Sequence, residues 1–532
     1  MPLLVLVAVT AAAIALGIWL RLSLLNIGSL WIDELWTLDA VSRSFREMVG
    51  ARLVSDQHPP LWNSIAWVWL RVVGSYDAGA MRLLPLGFSV GAIAAPLLGA
   101  VRMPSLRPTL IVMAALMATS LLPLQYGVEL RSYSMLLALG ATATVVWAGL
   151  LAGALPKSGR WIFAFTFAGA LAGFTHYYGH LLYFGEAAVL LVAWLPRRPR
   201  RPLVMLLGWG VLSVVPVVVW YLLTRHWFPV RPVAEPPSFD IVRTWLAYGL
   251  GPVTNVLAGH APDQYVDGKR ASELILGGLV IAVLAGAAAV RLRARRVPRE
   301  LDRAPLAGGS ALVGGSALVG GAAVLVVILG VIGAWSASLI LPPSMNFRNL
   351  AALLPALLLG VACAATLGRA DGPGRWSGAV VVAAWLTATV AVTAQFGVAA
   401  LAPPWQRDAG YRATVRVLLA STSDAPAPAL IGLKMPWDWH GQWEAAMRAE
   451  LGEPPVEPDN PAPLAVRWIL DVQELQATGL PASPLIVFTD ASDARSVALF
   501  AWLQEARADC QPAVMGGPGY GVISVVRCPA SR

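Results

Sequence analysis

The sequence predicts a polytopic α-helical membrane protein with about 11 transmembrane helices, interfacial helices in the first external loop, and a small external α/β domain at the C-terminus. Three observations predict this class. Hydrophobic residues make up 57% of the 532 residues and charged residues only 13%, whereas soluble chains carry about 25% charged residues. The apolar residues form separate runs near the length that crosses a bilayer. The net charge of +9 comes from short basic clusters between those runs, which indicates orientation in a membrane rather than nucleic-acid binding.

The first apolar run lacks the basic start and the cleavage site of a signal peptide, so we predict an uncleaved membrane helix. The run at 62–73 is too short and too rich in tryptophan for a span, and we predict an interfacial helix there. The predicted spans are 2–24, 82–101, 108–125, 134–154, 161–175, 180–195, 203–224, 273–291, 312–340, 349–367 and 376–400.

Alternate connectors are basic, and the positive-inside rule makes them cytoplasmic. They are 102–107, 157–160, 197–201, 291–303 and 369–375. The other loops and the tail are then external, and counting 62–73 as a span would break this alternation. All six histidines fall on or near the external side: His58, His176, His180, His226, His260 and His440.

The chain is predicted to divide into a transmembrane domain, 1–403, and an external domain, 404–532. The second part has short apolar runs at 429–433, 464–470, 484–488 and 522–526, with helical spacing over 493–508, which is typical of a small α/β domain.

Cys510 and Cys528 both stand in this tail, and an external location favours a disulfide that ties its last helix to its last strand. Cys363 lies within an apolar run and is predicted to be a packing residue. The tail also groups aromatic and polar side chains that suit either sugar stacking or contact with the membrane surface: Trp437, Asp438, Trp439, His440 and Trp443.

A tandem six-residue repeat of small residues occupies 308–321. It predicts close packing of helices through small faces, with a flexible hinge as the alternative.

Two adjacent acids, Asp33 and Glu34, follow the first apolar run. Unpaired carboxylates are costly inside a bilayer, so these side chains are expected at its surface. The simplest interpretation is that they cap or solvate an interfacial helix anchored by neighbouring tryptophans. A second polar group in the same loop, with Asp56 and His58, favours a functional site, although prolines after His58 also suit a first helical turn.

Two further polar groups lie on the predicted external side. Glu129 and Arg131 either pair at a helix end or serve phosphate binding, because a guanidinium fork makes two parallel bonds to phosphate. His176 and His180 are four residues apart, a spacing that allows a shared helix face and a metal ion. Hydrogen bonding to substrate or phosphate and anchoring at the interface are the alternatives for this histidine pair.

Another polar group precedes the predicted span 349–367. Asn346 and Arg348 stand at the head of this helix, whose positive N-terminus favours anions. Together these groups suggest that an external acid deprotonates an acceptor hydroxyl, while external arginine and histidine side chains hold the phosphate of a lipid leaving group.

Six short segments follow one another in order: Trp31–Glu34, His58–Leu61, Arg82–Pro85, Glu129–Tyr133, His176–Tyr178 and Asn346–Asn349. In their order and spacing they resemble the polytopic glycosyltransferases of the C-type superfamily. The bacterial group related to protein O-mannosyltransferases and aminoarabinose transferases is the most similar. The resemblance covers about residues 1–400 and does not extend to the tail.

The resemblance implies transfer of a mannose- or arabinose-like sugar from a polyprenyl-phosphate carrier to a glycan, lipid or protein acceptor, with inversion. It implies that Asp33 is the catalytic base and that Glu34 positions the acceptor or binds a cation. A divalent cation is thus compatible with the site, and no other cofactor is implied. The expected donor-phosphate residues are Arg131, Arg348, His58 and Tyr133, and the expected substrate-binding residues are Glu129, His176, Tyr177, Tyr178, His180 and Asn346.

Other functions are compatible with an external polar site in a polytopic protein. A transporter or flippase is expected to carry ionisable residues near the bilayer midplane, but the predicted spans are nearly free of Asp, Glu and Lys, with Glu186 as the exception. A polymerase or ligase of lipid-linked glycans and a non-catalytic scaffold are the remaining alternatives. The expected location is the cell (inner) membrane, with the site and the tail on the external side.

Overall fold

The computed structural model describes residues 2–28, 30–55, 58–197, 200–224, 239–251, 308–340, 348–366, 377–402, 429–433, 466–469, 473, 476–477, 485–490, 494–506, 510–514 and 523–528. Helices dominate the described part of the first 402 residues, and the strands lie in the tail.

Fifteen α-helices lie in the described part of residues 2–402. They are α1 (Pro2–Leu24), α2 (Ile32–Ser42), α3 (Phe45–Ser55), α4 (Leu61–Val73), α5 (Ala78–Arg102), α6 (Arg107–Thr119), α7 (Leu121–Tyr126), α8 (Tyr133–Ala152), α9 (Gly159–Thr175), α10 (Gly179–Trp194), α11 (Arg200–Thr224), α12 (Phe239–Gly249), α13 (Gly308–Ile340), α14 (Leu354–Thr366) and α15 (Ser377–Phe396). Four 3₁₀ segments accompany them: Pro104–Leu106, Leu195–Arg197, Asn349–Leu353 and Val398–Leu401.

Seven helices in the described part of the chain are long and apolar enough to cross a membrane, and they indicate a membrane protein. They cover Leu3–Leu24, Ala78–Arg102, Tyr133–Ala152, Arg201–Leu223, Gly315–Ser338, Asn349–Thr366 and Ser377–Phe396. Every predicted span except 273–291, which lies outside the described residues, falls on a described helix. The full number of spans therefore stays a prediction.

The predicted span 108–125 is not one continuous helix. α6 ends at Thr119, Ser120 is extended (φ −68°, ψ 143°), and α7 starts at Leu121. The backbone N–H of Leu121 donates to the carbonyl oxygen of Gly251 at 2.8 Å instead of continuing the α6 ladder. The break cannot be read from the apolar sequence, because a buried bend needs no polar side chain when its backbone groups find hydrogen-bond partners elsewhere in the fold.

The chain folds as two compact units. The first comprises Met1–Leu22, Ala51–Trp62 and Pro85–Leu401, and the second comprises Ser23–Gly50, Asn63–Leu84 and Ala402–Arg532. The predicted domain boundary at 403/404 falls among residues outside the described ones.

Within the first unit, α8 and α14 are buried along most of their length, whereas α11 exposes many apolar side chains, as a helix facing lipid does. Basic residues gather at one end of this helical bundle. Arg102 lies over the ring of Trp161 at 5.9 Å, and Lys157 lies over the ring of Trp194 at 5.3 Å. The end of α5, the start of α9 and the end of α10 therefore share one end of the bundle. The α9–α10 turn and the start of α8 lie at the opposite end.

Three short helices, α2, α3 and α4, fill the predicted first external loop. α4 has a buried face with four-residue spacing, Trp62, Ala66 and Leu70, and an exposed apolar face that includes Val68 and Val72. Such a helix fits the predicted interfacial position of 62–73.

The end of α2 is fixed within the second unit by α4. The guanidinium of Arg71 lies 3.6 Å from the Trp67 ring and donates to the carbonyl oxygens of Val41 at 2.9 Å and Arg43 at 2.8 Å. A cation at these final carbonyls satisfies groups that have no partner inside the helix.

The tail contains a five-stranded sheet in the order β2-β1-β3-β5-β4. Its strands are β1 (Ala429–Leu433), β2 (Val466–Ile469), β3 (Leu485–Asp490), β4 (Gln511–Val514) and β5 (Ile523–Cys528), with helix α16 (Ala494–Ala506) between β3 and β4. β1 pairs in parallel with β2 and β3, and β5 pairs antiparallel with β3 and β4. Each of the four apolar runs noted in the tail contains a strand. The short β4, which includes Pro512, was not anticipated.

A small hydrophobic core underlies this sheet, with Val487, Leu499, Leu503 and Val526 buried in it. A disulfide joins Cys510 and Cys528, with their Cα atoms 4.1 Å apart. Cys510 directly precedes β4, so the disulfide links two neighbouring strands rather than the last helix and the last strand.

Candidate functional site

The acidic pair begins α2 in the second unit. Glu34 is fully buried, and its Oε2 accepts the backbone N–H of Trp31 at 3.2 Å, which caps the helix start. The Arg82 fork donates from Nε to Glu34 Oε1 at 2.9 Å and from Nη2 to Oε2 at 2.5 Å. Both carboxylate oxygens of Glu34 are therefore held by a buried, bidentate ion pair.

Arg82 has further partners on the segment between α1 and α2. Its Nη1 donates to the carbonyl oxygens of Leu25 at 3.0 Å and Gly28 at 2.9 Å. This one guanidinium therefore fixes the path of the chain that leads to Asp33. Asp33 is only partly buried, and its backbone carbonyl accepts from the Thr37 hydroxyl at 3.3 Å. The adjacent acids thus differ, since Glu34 is enclosed by protein and Asp33 is partly accessible.

In the first unit, five aromatic and imidazole side chains form what we call the histidine–tyrosine cluster: His58, Tyr126, Tyr133, His176 and Tyr178. The His58 and His176 rings are 4.9 Å apart between centroids, and Tyr133 lies 5.8 Å from His176. Tyr126 stacks on Tyr133 at 4.5 Å, and Tyr178 meets His176 edge-on at 5.7 Å. Three elements far apart in the sequence thus contribute to one cluster.

Charged residues lie near enough to this cluster to change the pKa of Tyr126. The phenol of Tyr126 is buried, and burial raises its pKa well above the usual value. The neighbouring Tyr133, Glu129 and Tyr248 raise this pKa further, whereas the charge of Arg348 opposes them. The predicted site residues Glu129, Tyr133 and Arg348 therefore lie near enough to influence the same hydroxyl.

The break between α6 and α7 sets the start of the segment that carries Tyr126 and Glu129. At this break the fully buried Arg21 of α1 donates to the carbonyl oxygens of Met117 at 3.0 Å and Ala118 at 2.5 Å. These carbonyls end α6, where a cation is favoured. Arg21 also donates to Ser89 Oγ at 2.7 Å, and so ties α1, α5 and α6 together.

The turn between α9 and α10 presents His176. The backbone N–H of Tyr178 donates to His176 Nδ1 at 3.3 Å, so the proton of the neutral ring is on Nε2. His176 has an extended backbone and α10 begins only at Gly179. His176 and His180 therefore do not share a helix face, and the metal interpretation loses its geometric basis. Within the described residues, no three His, Cys, Asp or Glu side chains group as metal ligands.

Tyr177 and His180, the other predicted site residues near this turn, make ring contacts with residues that do not belong to the histidine–tyrosine cluster. Tyr177 meets the Tyr221 ring of α11 at 6.3 Å. His180 stacks on Phe184 at 5.4 Å and lies against Gly173 of α9.

The backbone N–H of Arg131 donates a hydrogen bond to the carbonyl oxygen of Glu129 at 2.6 Å, so the chain turns tightly between these two residues. Glu186 accepts a 2.6 Å hydrogen bond from Thr144 of α8 inside the bundle. Several predicted residues lie outside the described ones: Asn346, Asp56, His226, His260, His440 and the tryptophans at 437–443.

Sequence reasoning missed three residues that shape the site: Arg21, Arg82 as the partner of Glu34, and Tyr126. A basic residue inside an otherwise apolar run was the available signal for Arg21. Tyr126 stands three residues before the predicted site residue Glu129, but nothing in the sequence distinguishes its hydroxyl from that of Tyr133.

No protein-family model and no curated protein matches this sequence. Among solved structures, ArnT from Cupriavidus metallidurans matches in the apo state with a TM-score of 0.44 and in the form bound to undecaprenyl phosphate with a TM-score of 0.41. In both cases the identity is 13% and 97% of each chain is covered. The archaeal oligosaccharyltransferase AglB from Archaeoglobus fulgidus, in complex with an inhibitory peptide and a dolichol-phosphate, matches with a TM-score of 0.42 and 11% identity over 90% of this chain and 69% of that chain.

Proposed function

We propose that this chain is a membrane glycosyltransferase that moves a mannose- or arabinose-like sugar from a polyprenyl-phosphate carrier to an acceptor hydroxyl. The observation that carries the proposal is the histidine–tyrosine cluster under the influence of Arg348. Imidazole, phenol and guanidinium groups are donors suited to a phosphate. Here they stand at one end of an apolar helical bundle, where the phosphate of a lipid would be found.

In this proposal the cluster and its charged neighbours bind the carrier phosphate. Arg348 and Arg131 supply positive charge, and His58, His176 and Tyr133 supply directed donors. As the sugar leaves, negative charge grows on the phosphate oxygen, and donors fixed in advance stabilise that charge. Glu129, Tyr177, Tyr178, His180 and Asn346 are proposed for the remaining substrate contacts.

Asp33 is the proposed base. Its carboxylate takes the proton from the acceptor O–H, the acceptor oxygen bonds to the anomeric carbon, and the bond from that carbon to the phosphate oxygen breaks. Polyprenyl phosphate leaves with the bonding electrons. A single displacement inverts the anomeric centre, and no enzyme-bound sugar is required.

Glu34 takes a different part in this proposal. Its oxygens are held by Arg82 and by the Trp31 N–H, so it positions the first turn of α2 instead of receiving a proton. This differs from the expectation that Glu34, as the second catalytic acid, positions the acceptor or binds a cation. If a divalent cation takes part, Asp33 is the carboxylate of this pair that is partly accessible to it.

We also propose the cell (inner) membrane as the location, with about 11 spans and with the reaction and the α/β tail on the external side. The support is the separation of polar residues along the first unit. Lys157 and Arg102 lie at the end of the bundle opposite to His176 and Tyr133, in keeping with the positive-inside rule.

The test is transfer by purified protein from polyprenyl-phospho-mannose and polyprenyl-phospho-arabinose, followed as released polyprenyl phosphate by mass spectrometry. Asp33→Asn is expected to abolish release while membrane insertion and melting temperature stay as in wild type. Asp39→Asn is the matched control, because Asp39 is on the same helix and pairs only locally with Arg43 at 3.1 Å. Near-normal transfer by Asp33→Asn would refute the assignment of the base.

A further inference from the structure

Tyr126 of the first unit has a buried hydroxyl that lacks a hydrogen-bond partner among the described residues. The side chain is 1% exposed and its ring is stacked on Tyr133, which fixes where the hydroxyl can point. Among the described residues, none donates to or accepts from this hydroxyl. Buried hydroxyls are nearly always hydrogen-bonded, so an exception calls for an explanation such as a ligand that supplies the partner.

The charges around this hydroxyl indicate what kind of partner it suits. The positive charge of Arg348 lies near enough to lower the pKa of this hydroxyl, and the negative charge of Glu129 lies near enough to raise it. Burial keeps the phenol protonated, and it is therefore a neutral donor. A neutral donor with a guanidinium nearby suits an anionic oxygen.

The backbone that carries Tyr126 is fixed before any ligand arrives. α7 is six residues long and is anchored at its start by the hydrogen bond from Leu121 to Gly251. At the adjoining break, Arg21 binds the last carbonyls of α6. A donor held in this way needs little reorganisation when it binds its acceptor.

We propose that Tyr126 is a further phosphate-binding residue, whose hydroxyl donates a hydrogen bond to a non-bridging oxygen of the carrier phosphate beside Arg348. This inference rests on the proposed function, because it names one more contact of the same donor site. It adds a residue that the sequence motifs do not single out.

The test compares Tyr126→Phe with wild type for binding of undecaprenyl phosphate to the purified full chain in detergent. The variant is expected to bind about tenfold more weakly, as for the loss of one hydrogen bond to a charged group. Its melting temperature is expected to stay level or rise, because the change removes a buried hydroxyl with no protein partner. Undecaprenol and inorganic phosphate serve as the chain-only and phosphate-only probes.

Tyr183→Phe is the matched control. Tyr183 is also a buried phenol in the first unit whose hydroxyl has no hydrogen-bond partner among the described residues, but no charged residue is among the described groups that shift its pKa. It is expected to bind undecaprenyl phosphate as wild type does.

A selective loss in Tyr126→Phe, with undecaprenol binding unchanged, supports the proposal. Equal affinity of Tyr126→Phe and wild type overturns it and leaves the proposed function intact. Tight binding of inorganic phosphate alone, unaffected by the lipid, overturns the lipid source. If wild type itself does not bind undecaprenyl phosphate, the proposed function fails, and the inference fails with it.

Discussion

Arg82 and Glu34 form a buried, bidentate ion pair. The Arg82 fork meets both carboxylate oxygens at 2.9 and 2.5 Å, with each side chain at most 1% exposed. A charge buried in this way is tolerated only because its partner is present, so each residue depends on the other. The adjacent Asp33 is thereby presented by a helix start that has little freedom to move.

Removing one partner of this pair should destabilise the protein strongly. Arg82→Met leaves Glu34 buried without its cation and leaves the Leu25 and Gly28 carbonyls without a donor. We expect a loss of about 3–5 kcal/mol, as for a broken buried ion pair, measured as a fall in melting temperature in detergent. The double variant Glu34→Leu/Arg82→Met should recover part of that loss. A single variant as stable as wild type would contradict the buried pairing.

Arg21 should be essential for the break between α6 and α7. Arg21→Met removes the donors to Met117, Ala118 and Ser89 at once, and each buried carbonyl left without a donor costs about 1–3 kcal/mol. We expect a clear drop in melting temperature and in the yield of folded protein. Arg102→Met, at the exposed end of α5, is the control and should cost less than about 0.5 kcal/mol. Equal effects of the two substitutions would show that Arg21 has no special role.

Gly173 should tolerate no side chain. A Cβ at this position would overlap the imidazole of His180, whose ring fills the space between α9 and Phe184. Gly173→Ala is expected to lower stability by about 1–3 kcal/mol, as overpacking does. In Gly208→Ala a Cβ on α11 would meet nothing within 4 Å, so this variant should be neutral or slightly stabilising. The measurement is the melting temperature of each variant compared with that of wild type. An unchanged melting temperature of Gly173→Ala would show that the His180 ring does not occupy this space.

His176 should have two separable roles. Its Nδ1 accepts the Tyr178 N–H, and its Nε2 is the proposed phosphate donor. His176→Asn offers an oxygen in place of Nδ1 and lacks the Nε2 donor, so we expect near-normal stability and about 10–100-fold slower transfer. His176→Phe keeps the ring packing and loses both nitrogens, so transfer and melting temperature should both fall. Full transfer by His176→Asn would remove His176 from the donor site.

The number of free thiols in the denatured protein tests the disulfide directly. The chain has three cysteines, of which Cys510 and Cys528 are bonded and Cys363 is a buried free thiol. Protein denatured without reductant should take up one maleimide per chain, and reduced protein should take up three, measured by intact mass. Three thiols without reductant would show that the disulfide does not form, and would also argue against an external tail.

The helices of this fold could largely be predicted from sequence, because a run of about 20 apolar residues has few alternatives in a membrane. The break at Ser120 could not, since it depends on Gly251 and Arg21, residues more than 90 positions away. The same applies to Glu34, whose sequence neighbours suggested a catalytic acid while its partner Arg82 stands 48 positions later. Residue type and topology identified His58, Tyr133 and His176 as candidates, but only the fold shows that their rings meet.

The hydrogen bond from Leu121 to Gly251 joins two stretches of chain that are distant in the sequence and pack against each other in the fold. α12 ends just before Gly251, and α7 runs from Leu121 to Tyr126, so a displacement of α12 would disturb both this hydrogen bond and the packing of α12 against α7. The position of the Tyr126 hydroxyl therefore depends on the position of α12. Energetic coupling between two sites is reciprocal, so if the cluster binds a carrier phosphate as proposed, a ligand that holds α12 in place would favour carrier binding, and carrier binding would favour that position of α12.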